Sequence, residues 1–438
     1  MILRPRRLKL IFMLRVIIFC SLILTVVSRV TAQVDTSFAR KPLGYAEYLS
    51  LIAQHNLNYA AEQFNVNIAA ANVEAAKVFS DPSVAFNYNN NEHWIKQLGY
   101  GIGGTLNYTL ELGGKRRARI QLANNQLLLV QYQLQDYFQR LRAEATLAYL
   151  EAIKQQRLLY VNMDSYNTMR RLAVADSVRF RLGAIMASDA RQSKLEAGVM
   201  LNDVYAGAAE LKGALVSLQL LLGSTVRDTF YMPVGDPRGF DREYGLEALI
   251  TEGLNNRADL LAARQQQAVA QRALRVAKAN RVIDLGLGAG FTSNAEATNE
   301  IAPTPAYKAY TAGISVPIKL SNRYKGELHA AKFGIAQSDI QYQQACVQVQ
   351  TEVTAAYHKY LAARRQVAQF DSGLLTEAKQ ILDGKIYSYQ RGETGLLEVL
   401  NAQRTYNDVR QNYYTTLNAY AGALVELERS AGIWDINF

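Results

Sequence analysis

The side chains that could ligate a metal ion or act as a nucleophile in this 438-residue chain include four histidines, two cysteines and seven methionines. A metal site needs several of them on one surface at helical or turn spacing. His55, His93, His329 and His358 are instead scattered along the chain and the methionines do not cluster, so no metal-binding set and no resident cofactor is indicated. No Ser-His-Asp or Cys-His arrangement stands out either. The glycine run Gly99-Tyr100-Gly101-Ile102-Gly103-Gly104 lies inside a stretch where apolar and small residues alternate, which fits a strand better than a phosphate loop. The chain is therefore not expected to be an enzyme.

That alternation is the first structural signal. From Leu98 to Tyr108 one face carries Leu98, Tyr100, Ile102, Leu106 and Tyr108, and the other Gly99, Gly101, Gly103, Thr105 and Asn107. Ile283, Leu285, Leu287, Ala289 and Phe291 alternate in the same way with Asp284, Gly286, Gly288 and Gly290; Val84, Phe86 and Tyr88 mark an earlier strand, and Tyr310, Ala312, Ile314 and Val316 a later one. Two hairpins of a soluble sandwich would alternate like this, and so would strands of about eleven residues crossing a bilayer with the glycine-rich face toward a lumen. Four strands cannot close a barrel, and an open edge is not viable in lipid, so a membrane reading requires several chains. The polar loops near Asn89–Lys96 and Thr292–Thr304 would then face outward from the cell.

Prolines are few, and two stretches, about Lys115–Leu182 and Asn322–Arg391, contain none. As helices each would reach roughly 100 Å at 1.5 Å per residue. In the second, Cys346, Val349, Val353, Ala356, Tyr360, Ala363, Val367, Phe370 and Leu374 alternate steps of three and four, the coiled-coil seam, which makes Cys346 a packing residue. Leu127, Val130, Leu134, Tyr137 and Leu141 do the same in the first, and Tyr413, Leu417, Tyr420, Leu424 and Leu427 near the end. Glycine-bearing turns, Gly183–Ser188 and Gly392–Gly395, follow the long helices. Arg117 and Lys325, Gly183 and Gly392, and Asn56 and Asn255 recur at offsets of about 208, 209 and 199, so the chain reads as a duplication. Residues 33–238 and 239–438 each run helix, strand, strand, long helix, turn, helix, joined through Pro233–Arg242.

Residues 1–32 read as a signal peptide: Arg4, Arg6, Arg7 and Lys9 precede an apolar stretch from Leu10 to Val27, and Val30-Thr31-Ala32 offers a cleavage site before Gln33. Arg6-Arg7 raises a twin-arginine route, but the strongly apolar stretch favours general secretion. Cys20 follows Phe19 where a lipoprotein wants a small residue, so no lipid anchor is expected. The leader holds six of the 48 basic residues and none of the 38 acidic ones, which leaves the mature chain an excess of four positive charges and no case for nucleic acid.

With LNYTLELGGKRRARI and ISVPIKLSNRYKGEL where strand meets long helix, and RLGAIMASDA and YQRGETGLLEVLNAQRTY at the turns, the chain resembles the outer membrane efflux (TolC-like) family over essentially all of Gln33–Gly432. The LELGGKRRARI and VPIKLSNRYKGEL segments are most similar to the CzcC-type branch, whose pumps expel metal cations. The resemblance implies an α+β membrane protein: a homotrimer in outer-membrane lipid whose twelve-stranded barrel, four strands per chain, continues as a helical periplasmic duct. It further implies a periplasmic adaptor and an inner-membrane pump as partners. Heavy-metal cations are the expected cargo, with drug or small-molecule efflux and type I protein secretion as alternatives; a periplasmic structural coiled-coil protein would explain the seams but not the strands. By the same resemblance Asp189, Tyr389, Thr394, Glu398 and Asn401 form a periplasmic gate. Family members often carry Asp at both acidic positions; here they are Glu398 and the neutral Asn401. Ser188 and Asp189 are also candidate helix caps. Gly183, Met186, Ser188, Gly392 and Gly395 mark the tips that would meet the adaptor.

Overall fold

A computed structural model describes residues 39–90, 99–224, 229–236, 242–319 and 323–436. The expected leader and cleavage site, His93, Lys96, Leu98 and the boundary between residues 238 and 239 lie outside the described residues.

Strand β1 (Ala39–Gly44) leads into helices α1 (Tyr45–His55) and α2 (Leu57–Lys77), strands β2 (Ser83–Asn90) and β3 (Tyr100–Leu110), the long helix α3 (Lys115–Arg181) and helix α4 (Ala187–Leu221). The same order then recurs as β4 (Thr229–Val234), α5 (Leu246–Asn256), α6 (Ala258–Asn280), β5 (Leu285–Asn294), β6 (Tyr307–Ser315), α7 (Lys325–Gln369), α8 (Leu375–Gln390) and α9 (Leu396–Ala431). Helix α3 runs 67 residues without a break. Its counterpart does not: a π-turn at Phe370–Leu374, with Gly373 at φ 119°, separates α7 from α8, so the absence of proline did not guarantee one rod.

Each half also begins with a strand and two helices rather than one helix. Asn56 makes the first break, its Oδ1 accepting the Tyr59 N–H at 2.8 Å while its Nδ2 donates to the Leu221 carbonyl at 2.8 Å. Arg257 makes the second, so it, rather than Asn255, is the counterpart of Asn56. Likewise Lys115, rather than Arg117, matches Lys325, because each opens its long helix after two left-handed residues: Gly113 (φ 71°) and Gly114 (φ 68°) in one half, Arg323 (φ 47°) and Tyr324 (φ 57°) in the other. Gly113 has no room for a side chain, since a Cβ would meet that of Val282 at 2.5 Å.

β1 and β4 pair in parallel, a sheet without alternation to announce it. It is pinned by the buried Tyr149 of α3, whose hydroxyl donates to the Leu43 carbonyl at 2.8 Å and accepts the Val234 N–H at 3.0 Å. Around it the main core joins the seams the sequence marked: Leu141, Val349, Val353, Ala356, Tyr360, Ala363, Tyr420, Leu424 and Leu427 are all buried. Tyr45 meets the Tyr149 ring edge-on, and Tyr244 meets Tyr360 in the same way, so the likeness between the halves extends to side-chain packing. Among the described residues no helix is long and apolar enough to cross a membrane.

Candidate functional site

The other sheet has the order β2-β3-β5-β6, antiparallel throughout. Its register puts Phe86, Gly104, Phe291 and Tyr310 in one row, flanked by Val84, Leu106, Ala289 and Ala312 and by Leu287 and Ile314. Gly104 lets the rings close over it: a Cβ there would stand 2.7 Å from Cε1 of Phe291. The opposite face carries Thr105, Asn107, Gly288, Gly290, Thr311 and Gly313. Nothing among the described residues covers the apolar face, with Phe86 77% and Tyr310 83% exposed. Such a face dissolves in lipid rather than water. Strands β2 and β6 each leave an edge with no partner strand among the described residues.

At the far end of the long helices the two turns share one geometry. Gly183 (φ 74°) donates to the Phe180 carbonyl and Ala184 to that of Arg179; Gly392 (φ 79°) donates to that of Tyr389 and Glu393 to that of Ser388. Both are Schellman closures, for which glycine is suited because a Cβ is strained in the left-handed conformation. Met186 and Gly395 occupy the N-cap positions of α4 and α9 without a side-chain cap. Capping by Ser188 or Asp189 is thus not realised: Ser188 sits inside the helix, its hydroxyl donating to Asp189 Oδ1 at 3.3 Å, and Asp189 and Glu398 lie in first turns, where the helix dipole favours an acid. Met186 is exposed, as are Gly183, Ser188, Gly392 and Gly395.

The gate candidates differ in their surroundings, and Asp189 lies close enough to Tyr389 and Asp176 to act on both electrostatically. Asn401 is exposed, and Glu398 pairs with Lys385 at 2.9 Å on the surface. Thr394 is half-buried, its Oγ1 without a hydrogen-bond partner. Tyr389 is only 4% exposed and donates from its hydroxyl to Asp176 Oδ1 at 3.0 Å, with the Arg179 guanidinium 4.9 Å from its ring centre. Asp176 is fully buried; burial pushes its carboxyl above the usual range, against hydrogen bonds from Ser193 and Tyr389 and the charge of Arg179. Burial and the neighbouring Asp176 raise Tyr389 too. This latch sits in a second core, where Met169, Leu172 and Ala173 of α3 and Met200 of α4 meet Val399 and Leu400 of α9. Asp176 was missed from sequence although it continues the Met169-Leu172-Ala173 spacing, and an acid at a seam position is a signal of a buried partner. Among the described residues no group of three His, Cys, Asp or Glu stands together as a metal site.

Residues 249–433 match the outer membrane efflux protein family. The chain's likeness to known proteins extends beyond that segment. Over 402 residues it is 22% identical to the cobalt-zinc-cadmium resistance protein CzcC of Cupriavidus metallidurans, covering 90% of this chain and 91% of that one. Its fold is that of a membrane protein from Pseudomonas aeruginosa (TM-score 0.73, 18% identity, 88% of this chain and 92% of that chain). It is also that of the Campylobacter jejuni CmeC outer membrane channel (TM-score 0.72, 14% identity, 88% and 85%). The fold of this protein is thus that of an outer-membrane channel.

Proposed function

We propose that three copies of this efflux protein form one conduit: a twelve-stranded barrel, four strands from each chain, continued by the long helices into the periplasm. The observation that carries this is the four-stranded sheet with one apolar face, one small and polar face, and two edges that are unpaired among the described residues. Alone it would leave those edges unsatisfied in lipid; three copies supply an even-numbered antiparallel barrel without an edge. Residues 33–238 and 239–438 are read as a duplicated pair, supported by the recurring element order. The tips at Gly183, Met186, Ser188, Gly392 and Gly395 are assigned to a periplasmic adaptor, which links the duct to an inner-membrane pump. At the entrance Glu398 supplies one acid per chain, with Asp189, Thr394 and Asn401 beside it and Tyr389 holding the closed form.

The cargo assigned is heavy-metal cations, supported by likeness along nine-tenths of the chain to a cobalt-zinc-cadmium resistance protein. The protein serves as passage rather than as binder. Mass measurement in detergent tests the assembly: a trimer is expected, and a stable monomer or dimer overturns the barrel. Deleting the protein from its own bacterium should lower tolerance to cobalt, zinc or cadmium; a loss of drug tolerance or of a secreted protein instead would reassign the cargo. Photo-crosslinkers at Met186 and Thr394 should capture the adaptor, and equal capture from Lys96 would reject the tip assignment.

A further inference from the structure

The two halves of the chain meet along α3 and α6, and α7 and α2 carry apolar stripes that nothing covers among the described residues. At the foot of the internal seam Lys115, the first residue of α3, is buried and reaches Asp284 at 2.6 Å. Asp284 stands four positions past the end of α6 at Asn280. In the other half Lys325 opens α7 after its own left-handed pair, and Asp81 stands four positions past the end of α2 at Lys77. Both are exposed, and neither has an ion-pair partner among the described residues. The helices behind them repeat the contrast. α6 is held on α3 by Gln265 on Asn125 and Arg272 on Gln121. α7 instead exposes Phe333, Ile340 and Val347 at heptad spacing, and α2 exposes Leu57, Phe64 and Ile68.

We infer that Lys325 of one copy takes Asp81 of the next, with the exposed stripe of α7 covering that of α2, so that the ion pair between copies parallels the Lys115–Asp284 pair inside each. The occupant is a second copy because the complementary lysine, aspartate and apolar stripes are all on this chain, each displaced to the opposite flank from its mate. The unpaired edges agree: with the order β2-β3-β5-β6 antiparallel throughout, β6 of one copy lies antiparallel to β2 of the next. Such a head-to-tail contact closes into a ring when the rotation permits. The inference rests on the trimeric reading above and adds the contact that fixes how neighbours are seated at the barrel rim.

Full-length protein carrying Cys346→Ser tests it in outer membranes. Asp81→Cys with Lys325→Cys should be joined by a short bis-maleimide into covalent dimers and trimers, while either cysteine alone yields monomer on a denaturing gel. In parallel, Lys325→Glu and Asp81→Lys should each lower the temperature at which the assembly falls apart in detergent, and the two together should restore it. That second series stands if the cysteine pair fails to assemble. If wild-type protein has a trimer's mass but shows neither crosslink nor rescue, the ion pair is overturned and the trimer stands. If wild type is a monomer or dimer, the trimeric reading falls and takes this contact with it.

Discussion

Replacing Tyr389 by phenylalanine removes one hydroxyl while keeping the ring, and so separates its bond to Asp176 from the packing around it. Asp176 is fully buried, with Arg179 at 3.8 Å as its ion-pair partner besides the tyrosine. A hydrogen bond to a charged group contributes about 1.5–3 kcal/mol. At about 1.4 kcal/mol per factor of ten, the undocked state of the tip should gain roughly tenfold to a hundredfold in population. Amide hydrogen exchange in residues 166–181 and 386–400 should accelerate by that factor, while the main core around Tyr149 and Tyr360 keeps its protection, since the two cores are separate clusters. Asp176→Asn is the control: its amide oxygen still accepts from Tyr389 and the buried charge is gone, so protection should equal or exceed that of wild type. Unchanged exchange in Tyr389→Phe, or an Asn variant as loose as the Phe variant, would refute the latch.

Glu398→Gln should reduce cation preference in planar-bilayer recordings and Lys385→Gln should increase it, because the lysine at 2.9 Å offsets the acid in wild type; equal selectivity in both variants would remove Glu398 from the gate. Gly113→Ala and Gly114→Ala share the left-handed strain of about 1 kcal/mol, but only the first drives a Cβ into Val282, so it should lower the melting temperature clearly more; equal shifts would show that the junction yields. Burial, reinforced by Asp435, pushes Glu428 from 4.5 up to about 7, against hydrogen bonds from the Asp435 amide and Tyr244. The folded state therefore holds that proton more tightly than the unfolded one. Its stabilisation is complete below 4.5 and is lost as pH rises through about 7, so thermal stability should fall across that window and Glu428→Gln should flatten the fall.

How much was readable in advance depended on the range of the signal. Strand alternation and helix seams are local, and they located the four-stranded sheet and the buried faces of α3, α7 and α9 to within a few residues. Asn56 and Arg257 make equivalent helix breaks with unlike chemistry, one a side-chain cap and the other a buried arginine paired with Asp259 and Glu352, so no residue match could align them. The Tyr389–Asp176 bond spans 213 residues and joins two helices whose relative rotation is set by everything between them. Glu398 stood out as an acid beside a turn, but its neighbour Lys385 lies on the preceding helix, at a separation the turn alone decides.

The π-turn at Phe370–Leu374 has the effect of a skipped gear tooth. Carried past Leu374, the three-and-four spacing of α7 would reach Glu377, Ile381 and Ser388; the residues that are buried are Ala378, Leu382 and Tyr389, each one position later. One surplus residue has advanced the phase of α8 by about 100°, the rotation per residue of a helix with 3.6 residues per turn. Without that advance Ser388 would arrive where Tyr389 now stands, and a serine hydroxyl is too short to reach across to Asp176. The closing contact at the tip is therefore timed by an insertion more than four helical turns away, and drawing all of these residues into one unbroken helix would turn the whole of α8 off its mark while changing none of the residues that make the latch.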